Sequence, residues 1–204
     1  FARAVQSFEA SVILAERGML ADARTLSRSV VETSFFLGGL ARISGFHEQM
    51  AADSNKHYYG MADGLSRMLR ESNGSEERKD AEALKDLLHD VKAKGYRTQQ
   101  INMRELAKKV GMEKLYQVVY RQLSGDAAHP SITSIEKHFA RNDGAVEKLI
   151  FSPQRDGIEE ALSVSIAAVM FAMEAVCEIF KLDETAAVLK SITKSHVQLK
   201  EQLK

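Results

Sequence analysis

The sequence predicts an all-α fold: an up-down helical bundle of four to five long helices, with short helices inserted before the last pair. Three observations predict it. Apolar residues recur at three- and four-residue spacing along most of the 204 residues. Only 2 prolines and no tryptophan accompany 12 glycines, which argues against a turn-rich sandwich or barrel. Hydrophobic residues make up 45% and charged residues 27%, the balance of a globular chain long enough to build a core without disulfides or metal. No internal repeat or low-complexity linker interrupts it, so residues 1–204 read as a single helical domain.

The elements follow in order. Val5, Phe8, Val12 and Ala15 mark a helix over 1–17, which Gly18 loosens or ends. A second helix over 20–43 is apolar around much of its circumference (Leu20, Ala23, Leu26, Val30, Val31, Phe35, Leu37), which predicts a central position. Gly45 follows as its C-terminal stop, and a third helix over 47–70 comes next, rich in His, Met and Tyr. The turn cluster from Ser72 to Ser75 leads to a charged amphipathic helix over 76–94. Asn102-Met-Arg-Glu105 is a capping-box candidate for a short helix over 103–110, and a further helix over 112–124 follows Gly111. Residues 133–139 suggest one or two helical turns. Turn signals at Asn142-Asp143-Gly144 and Ser152-Pro153 then bracket either a small hairpin or an irregular cover. The longest clean helix spans 156–181, and Asp183 is placed to cap a last one over 184–203. The long apolar faces of 20–43 and 156–181 would also support a homodimer.

Charge and cysteine content exclude several functions. Lys plus Arg is 28 and Asp plus Glu is 28, divided evenly between the two halves, so no charged tail coats nucleic acid through global charge. The single Cys177 allows no disulfide framework, zinc ribbon or redox pair within one chain. The longest uncharged apolar run, Ala161 to Met173, is too short to span a bilayer, and no secretory leader pattern is read. A cytoplasmic protein without membrane attachment is expected. Asp53 and His57, near His47 and Glu48, supply at most half a metal site. Neither Glu-x-x-His nor His-Glu-x-x-His occurs, and phosphate-loop and dinucleotide fingerprints are absent. No metal or other cofactor is expected.

The distinctive segment runs from Tyr116 to Ser131. Tyr116, Tyr120 and Ser124 share one helical face. His129-Pro130 falls where the helix must already have ended, because proline biases its predecessor away from the α region. Tyr120, Arg121, Ser124, His129 and Ser131 thus gather about one helix end. They form either a polar cluster that fixes the turn or a site for a phosphate-bearing ligand. In the second reading Arg121 grips phosphate through its planar fork, and His129, which titrates near neutrality, is the general acid or base. The net charge of zero hides a dipolar layout. Residues 92–121 hold eight basic and two acidic side chains, including Lys108, Lys109 and Lys114, a stretch suited to RNA or another anion. Residues 71–90 compensate with seven acidic against three basic. Arg28 and Glu32, at i and i+4 inside the apolar second helix, are costly unless paired. They are expected to bond each other and a third polar group, as a structural pair or as one that orients the Tyr120/His129 cluster.

Ala23-Arg-Thr-Leu-Ser-Arg28-Ser-Val-Val-Glu32, followed by Tyr120-Arg-Gln-Leu-Ser124 and His129-Pro130-Ser131, resembles a bacterial all-helical family catalogued as a domain of unknown function. More remotely it is similar to the higher eukaryotes and prokaryotes nucleotide-binding (HEPN) superfamily. That superfamily consists of helical bundles, often dimeric, many of them metal-independent ribonucleases of defence systems. Its motif is an Arg, a polar residue and a His after a spacing of four to six residues. Here Gln122 follows Arg121, seven residues precede His129, and Pro130 is an addition. The resemblance implies phosphate stabilisation by Arg121 and assistance by His129 to a ribose 2′-hydroxyl. Two alternatives stand beside it. One is a non-catalytic helical interaction or ligand-sensing domain. The other is a DNA-binding helix-turn-helix regulator, for which Arg104 to Val119 fits the first helix and turn but offers Gln117 where the second helix should bury an apolar residue.

Overall fold

A computed structural model describes residues 1–72, 74–93, 97–120, 123, 132–136, 138–150, 152–153 and 156–202. They are overwhelmingly helical, in order α1 (Ala2–Glu16), α2 (Leu20–Arg42), α3 (Phe46–Glu71), α4 (Ser75–Ala93), α5 (Met103–Lys109) and α6 (Glu113–Leu115). A π-helical turn (Tyr116–Tyr120) continues α6, followed by α7 (Ile132–Glu136), β1 (Phe139–Asn142), β2 (Ala145–Leu149), α8 (Ile158–Phe180) and α9 (Asp183–Gln202). The chain forms two compact units, one of residues 1–43 with 103–204, the other of residues 44–102.

In the larger unit α1, α2 and α8 pack on one another, with α2 against α8 the most extensive contact. The residues that meet are small. Ala4, Leu37, Ala172 and Ala175 fill one end of the contact, and Ala15, Leu20 and Ala23 fill the other. Between them stand three fully buried serines, Ser11, Ser27 and Ser165. Ser165 donates to Ser27 Oγ at 2.6 Å, Ser27 donates to the Ala23 carbonyl at 2.8 Å and Ser11 to the Phe8 carbonyl at 2.7 Å. Each hydroxyl is satisfied, so the helices approach closely at a polar seam without an orphaned donor. The apolar faces that suggested a dimer from sequence, on α2 and α8, bury against each other in the chain. By length and composition α8 could also cross a membrane, and it is the only such helix among the described residues. Here it supplies Ala161, Ala168, Ala172 and Ala175 to the core.

Arg42 clamps the far end of this layer. Its Nε donates to Glu178 Oε2 at 2.9 Å, its Nη2 donates to Glu178 Oε1, and its Nη1 donates to the Val110 carbonyl at 2.8 Å. The guanidinium also sits 4.6 Å from the centre of the Phe171 ring. This two-pronged hydrogen bond, more than its charge alone, holds the Glu178 carboxyl below the usual carboxylate range. A depressed carboxyl adds stability at neutral pH and loses it as pH falls through the folded-state value. Glu178→Gln should therefore be less stable than wild type at pH 7 by about 0.5–1 kcal/mol, since the pair is partly solvated. Thermal unfolding across a pH series should show that gap closing below about pH 4. A gap that stayed constant with pH would refute the ionic origin.

The open choice after Arg141 resolves as a hairpin. Phe139 pairs with Leu149, Ala140 with Lys148, Arg141 with Val146 and Asn142 with Ala145, with a register irregularity after Ala140. Asp143 and Gly144 both have positive φ, 49° and 82°. That is the turn geometry which matches the right-handed twist of two strands.

In the smaller unit α3 and α4 form a helical hairpin around buried Ala52, Ser66, Ala81 and Leu88. Ser66 donates to the Ala81 carbonyl at 3.2 Å. The segment 97–102 then runs back along α3. Gln99 donates its amide to the Ala52 carbonyl at 3.2 Å, and Ile101 donates its amide to Asp53 Oδ1 at 2.8 Å.

Candidate functional site

The site is built where α2 meets the helix end after α5. Leu106, Ala107 and Val110 bury one side of α5, and Gly111 (φ 82°) turns the chain into α6. Three residues later the α-helix widens into the π turn, in place of the uniform helix expected over 112–124. Extended π geometry is uncommon and is often associated with functional sites. Here its visible result is aromatic. Tyr116 and Tyr120 stack with ring centres 5.1 Å apart and planes 20° from parallel. Both rings pack against the fully buried Phe35 of α2, at 6.5 and 6.1 Å.

Tyr120 is also the third polar group of the Arg28–Glu32 pair. Arg28 Nε donates to Glu32 Oε1 at 3.1 Å, Arg28 Nη2 donates to the Tyr120 hydroxyl at 3.2 Å, and that hydroxyl donates to Glu32 Oε1 at 2.8 Å. The guanidinium lies 5.1 Å from the Tyr120 ring centre. Burial, and then its bond to Glu32, raises the Tyr120 pKa, so the phenol keeps its proton and stays a donor. Burial alone would weaken the charge on Arg28. The Tyr120 hydroxyl and the Glu32 carboxylate outweigh it and raise that pKa instead.

A closed triangle of this kind positions; it does not by itself recruit an anion. Glu32 already neutralises Arg28, and an incoming phosphate would face the carboxylate as well as the guanidinium. One side of the pair is wet, with Arg28 and Glu32 side chains 25% and 33% exposed. Tyr120→Phe removes one donor from Glu32 while keeping the ring, and should cost about 1 kcal/mol. Because the phenol is the stabilising form, the difference should shrink as pH rises past the usual tyrosine range. Equal stability of the two proteins at neutral pH would show that the Tyr120 hydroxyl contributes nothing.

The other expected residues divide in two. Lys108, Lys109 and Lys114 are exposed around the α5–α6 turn, in the same unit as the triangle, and Arg104 is exposed on α5. Arg121, Ser124, His129 and Ser131 lie outside the described residues. Gln117, which disfavoured a DNA-reading helix, is half-buried within the π turn. No group of three His, Cys, Asp or Glu placed to hold a metal occurs among the described residues. Sequence reasoning missed the Arg42–Glu178 clamp and the three-serine seam. A signal for the seam was present, since all three serines interrupt apolar helical faces.

Helical packing and a polar triangle at a π turn define the class: an all-α protein with a positioned, partly solvated polar cluster. The chain belongs to the DUF5677 family, a family of unknown function, whose model matches residues 1–146. The match takes in α1 to α7 and most of the hairpin, and so every residue of the candidate site. No curated protein matches the chain. No solved structure matches it either.

Proposed function

We propose that this chain is an HEPN-like RNA-binding domain of a bacterial defence or stress system, cleaving RNA without metal through Arg121 and His129. The observation that carries the reading is the Arg28–Glu32–Tyr120 triangle, which fixes the residue immediately before Arg121. The exposed Lys108, Lys109 and Lys114 support it by offering phosphate contacts in the same unit. In this mechanism Arg121 stabilises the phosphate through its planar fork. His129 accepts the proton of a ribose 2′-hydroxyl as that oxygen attacks the adjacent phosphorus; the P–O5′ bond breaks and the departing 5′-oxygen of the next nucleotide takes a proton from water. Two copies acting across a dimer belong to the same reading.

The test is the full chain with structured RNA in EDTA. Cleavage is expected, with loss of at least about 100-fold in rate for His129→Ala and for Arg121→Ala. No cleavage, or a His129→Ala variant as active as wild type, ends the catalytic claim. Binding is tested separately. Replacing the three lysines with glutamine should lower the slope of log affinity against log salt by about 2, and an unchanged slope removes the proposed surface.

A second reading is favoured by the closure of the triangle, in which all three polar groups bond one another. In that reading the chain is a non-catalytic interaction or ligand-sensing domain. His129→Ala would then lower stability by about 1–3 kcal/mol and leave no RNA phenotype.

A further inference from the structure

We propose that the cavity shared by α3 and the returning segment 97–102 binds a free α-amino acid with an apolar side chain, its ammonium on Asp53 and its carboxylate on Lys56. The site lies wholly within the smaller unit and stands apart from the RNA reading.

The segment makes the cavity. Residues 97–102 have no helix or strand of their own, yet α3 straps them down through both backbone and side chains. Asn55 Nδ2 donates to the Arg97 carbonyl at 3.3 Å, and the Gln99 amide donates to the Ala52 carbonyl at 3.2 Å. Lys56 Nζ donates to Gln100 Oε1 at 3.0 Å, and the Ile101 amide donates to Asp53 Oδ1 at 2.8 Å. Helix and strap together line an open cavity of about 480 Å³, with Asp53, Lys56, His57, Gly60, Met61 and Gln100 around it. That volume suits a small molecule, and a wall already fixed in place need not be ordered on binding.

The two charges in the cavity do not neutralise each other. Asp53 and Lys56 stand at i and i+3 on α3, where opposite charges ordinarily pair. Among the described residues no ion pair joins them. The strap occupies each one separately, the carboxylate with a backbone amide and the ammonium with a neutral oxygen. Asp53 Oδ2 and two N–H groups of Lys56 remain for a ligand, and so does the Gln100 amide nitrogen, whose oxygen already faces Lys56. A phosphate would meet the wrong charge at Asp53, and a metal ion would meet it at Lys56. A ligand that carries both charges meets neither, and an α-amino acid carries them one carbon apart.

Space for its side chain lies alongside. Gly60 brings no side chain, and a Cβ built there meets no atom within 4 Å. Glycine is, after proline, the residue least suited to a helix interior, and here it leaves room beside the exposed thioether of Met61. His57 lines the same space with its ring edge-on to Tyr58, centres 5.9 Å apart.

Calorimetric titration of the full chain with L-leucine tests the proposal. Binding is expected with a dissociation constant of about 0.1–1 mM. Three probes should each bind roughly 10-fold more weakly: 4-methylpentanoate, which lacks the ammonium, 3-methylbutylamine, which lacks the carboxylate, and glycine, which lacks the side chain. Asp53→Asn keeps the oxygen that accepts from Ile101 and removes only the charge. It should weaken L-leucine roughly 10-fold and leave 4-methylpentanoate no weaker. Lys56→Met should weaken L-leucine to a similar extent and leave 3-methylbutylamine no weaker. Gly60→Leu fills an uncrowded position, so it should abolish binding with the helical signal intact. That variant decides the matter if either charge variant loosens the strap. Absence of L-leucine binding up to about 10 mM, tighter binding of inorganic phosphate or of magnesium ion, equal binding of the three probes, or a Gly60→Leu protein that binds as wild type does would each overturn it.

Discussion

Gly38→Val should destabilise the larger unit by about 3 kcal/mol, lowering the melting temperature by roughly 6–12 °C. Gly38 lies on α2 where Phe171 of α8 crosses it. A Cβ at that position would stand 2.8 Å from Phe171 Cε1 and 3.1 Å from Val110 Cβ. Neither neighbour is free to move. The Phe171 ring lies beneath the Arg42 guanidinium, and Arg42 is tied to Glu178 and to the Val110 carbonyl. Displacing the ring therefore loosens the whole clamp. Gly38→Ala gains about 1 kcal/mol of helix propensity and so should lose less than valine does. Phe171→Leu, combined with Gly38→Ala, should recover part of the loss by vacating the ring's position. A Gly38→Val protein that melted with wild type would show that α2 and α8 do not pack as described.

The second large effect is expected at the serine seam. Ser165→Val should cost about 2–3 kcal/mol, because it adds volume at a fully buried crossing and removes the hydroxyl bonded to Ser27. Ser165→Ala should cost only about 1 kcal/mol. Ser27 would still donate to the Ala23 carbonyl and Ser11 to the Phe8 carbonyl, so no buried donor is stranded. Urea unfolding of both variants separates the two causes. Equal losses would mean that hydrogen bonding, not space, sets the cost at this crossing.

Much of the fold was legible because it is local. Apolar spacing located α1 to α4, α8 and α9 to within a few residues, and Gly18, Gly45 and Gly111 marked real turns, each with positive φ. The Asp143-Gly144 pair signalled a hairpin, but its exposed strands are short and lack the alternation that would have decided between hairpin and cover. No composition shift marks residues 44 or 102, where the contacts divide the chain into two units. What stayed hidden depends on distant partners. Arg28 and Glu32 announced their need for a third group, yet only folding brings in Tyr120, 88 residues beyond Glu32. The same holds for Arg42 and Glu178, separated by 136 residues. The seam serines were legible only in part: each interrupts an apolar helical face, but which hydroxyl bonds which depends on neighbours from other helices.

The widened turn from Tyr116 to Tyr120 gives this segment room to lose a residue. Such a turn accommodates one residue more than an ordinary helical turn, and each residue of an α-helix advances the chain by about 100° around its axis. Deleting a single residue between Tyr116 and Tyr120 would let the segment relax to regular winding. Because the residue lost is the one the wide turn had absorbed, Tyr120 would keep its direction toward α2. The same deletion in an ordinary turn of α2 or α8 would instead rotate the rest of that helix by about 100° and break its seam.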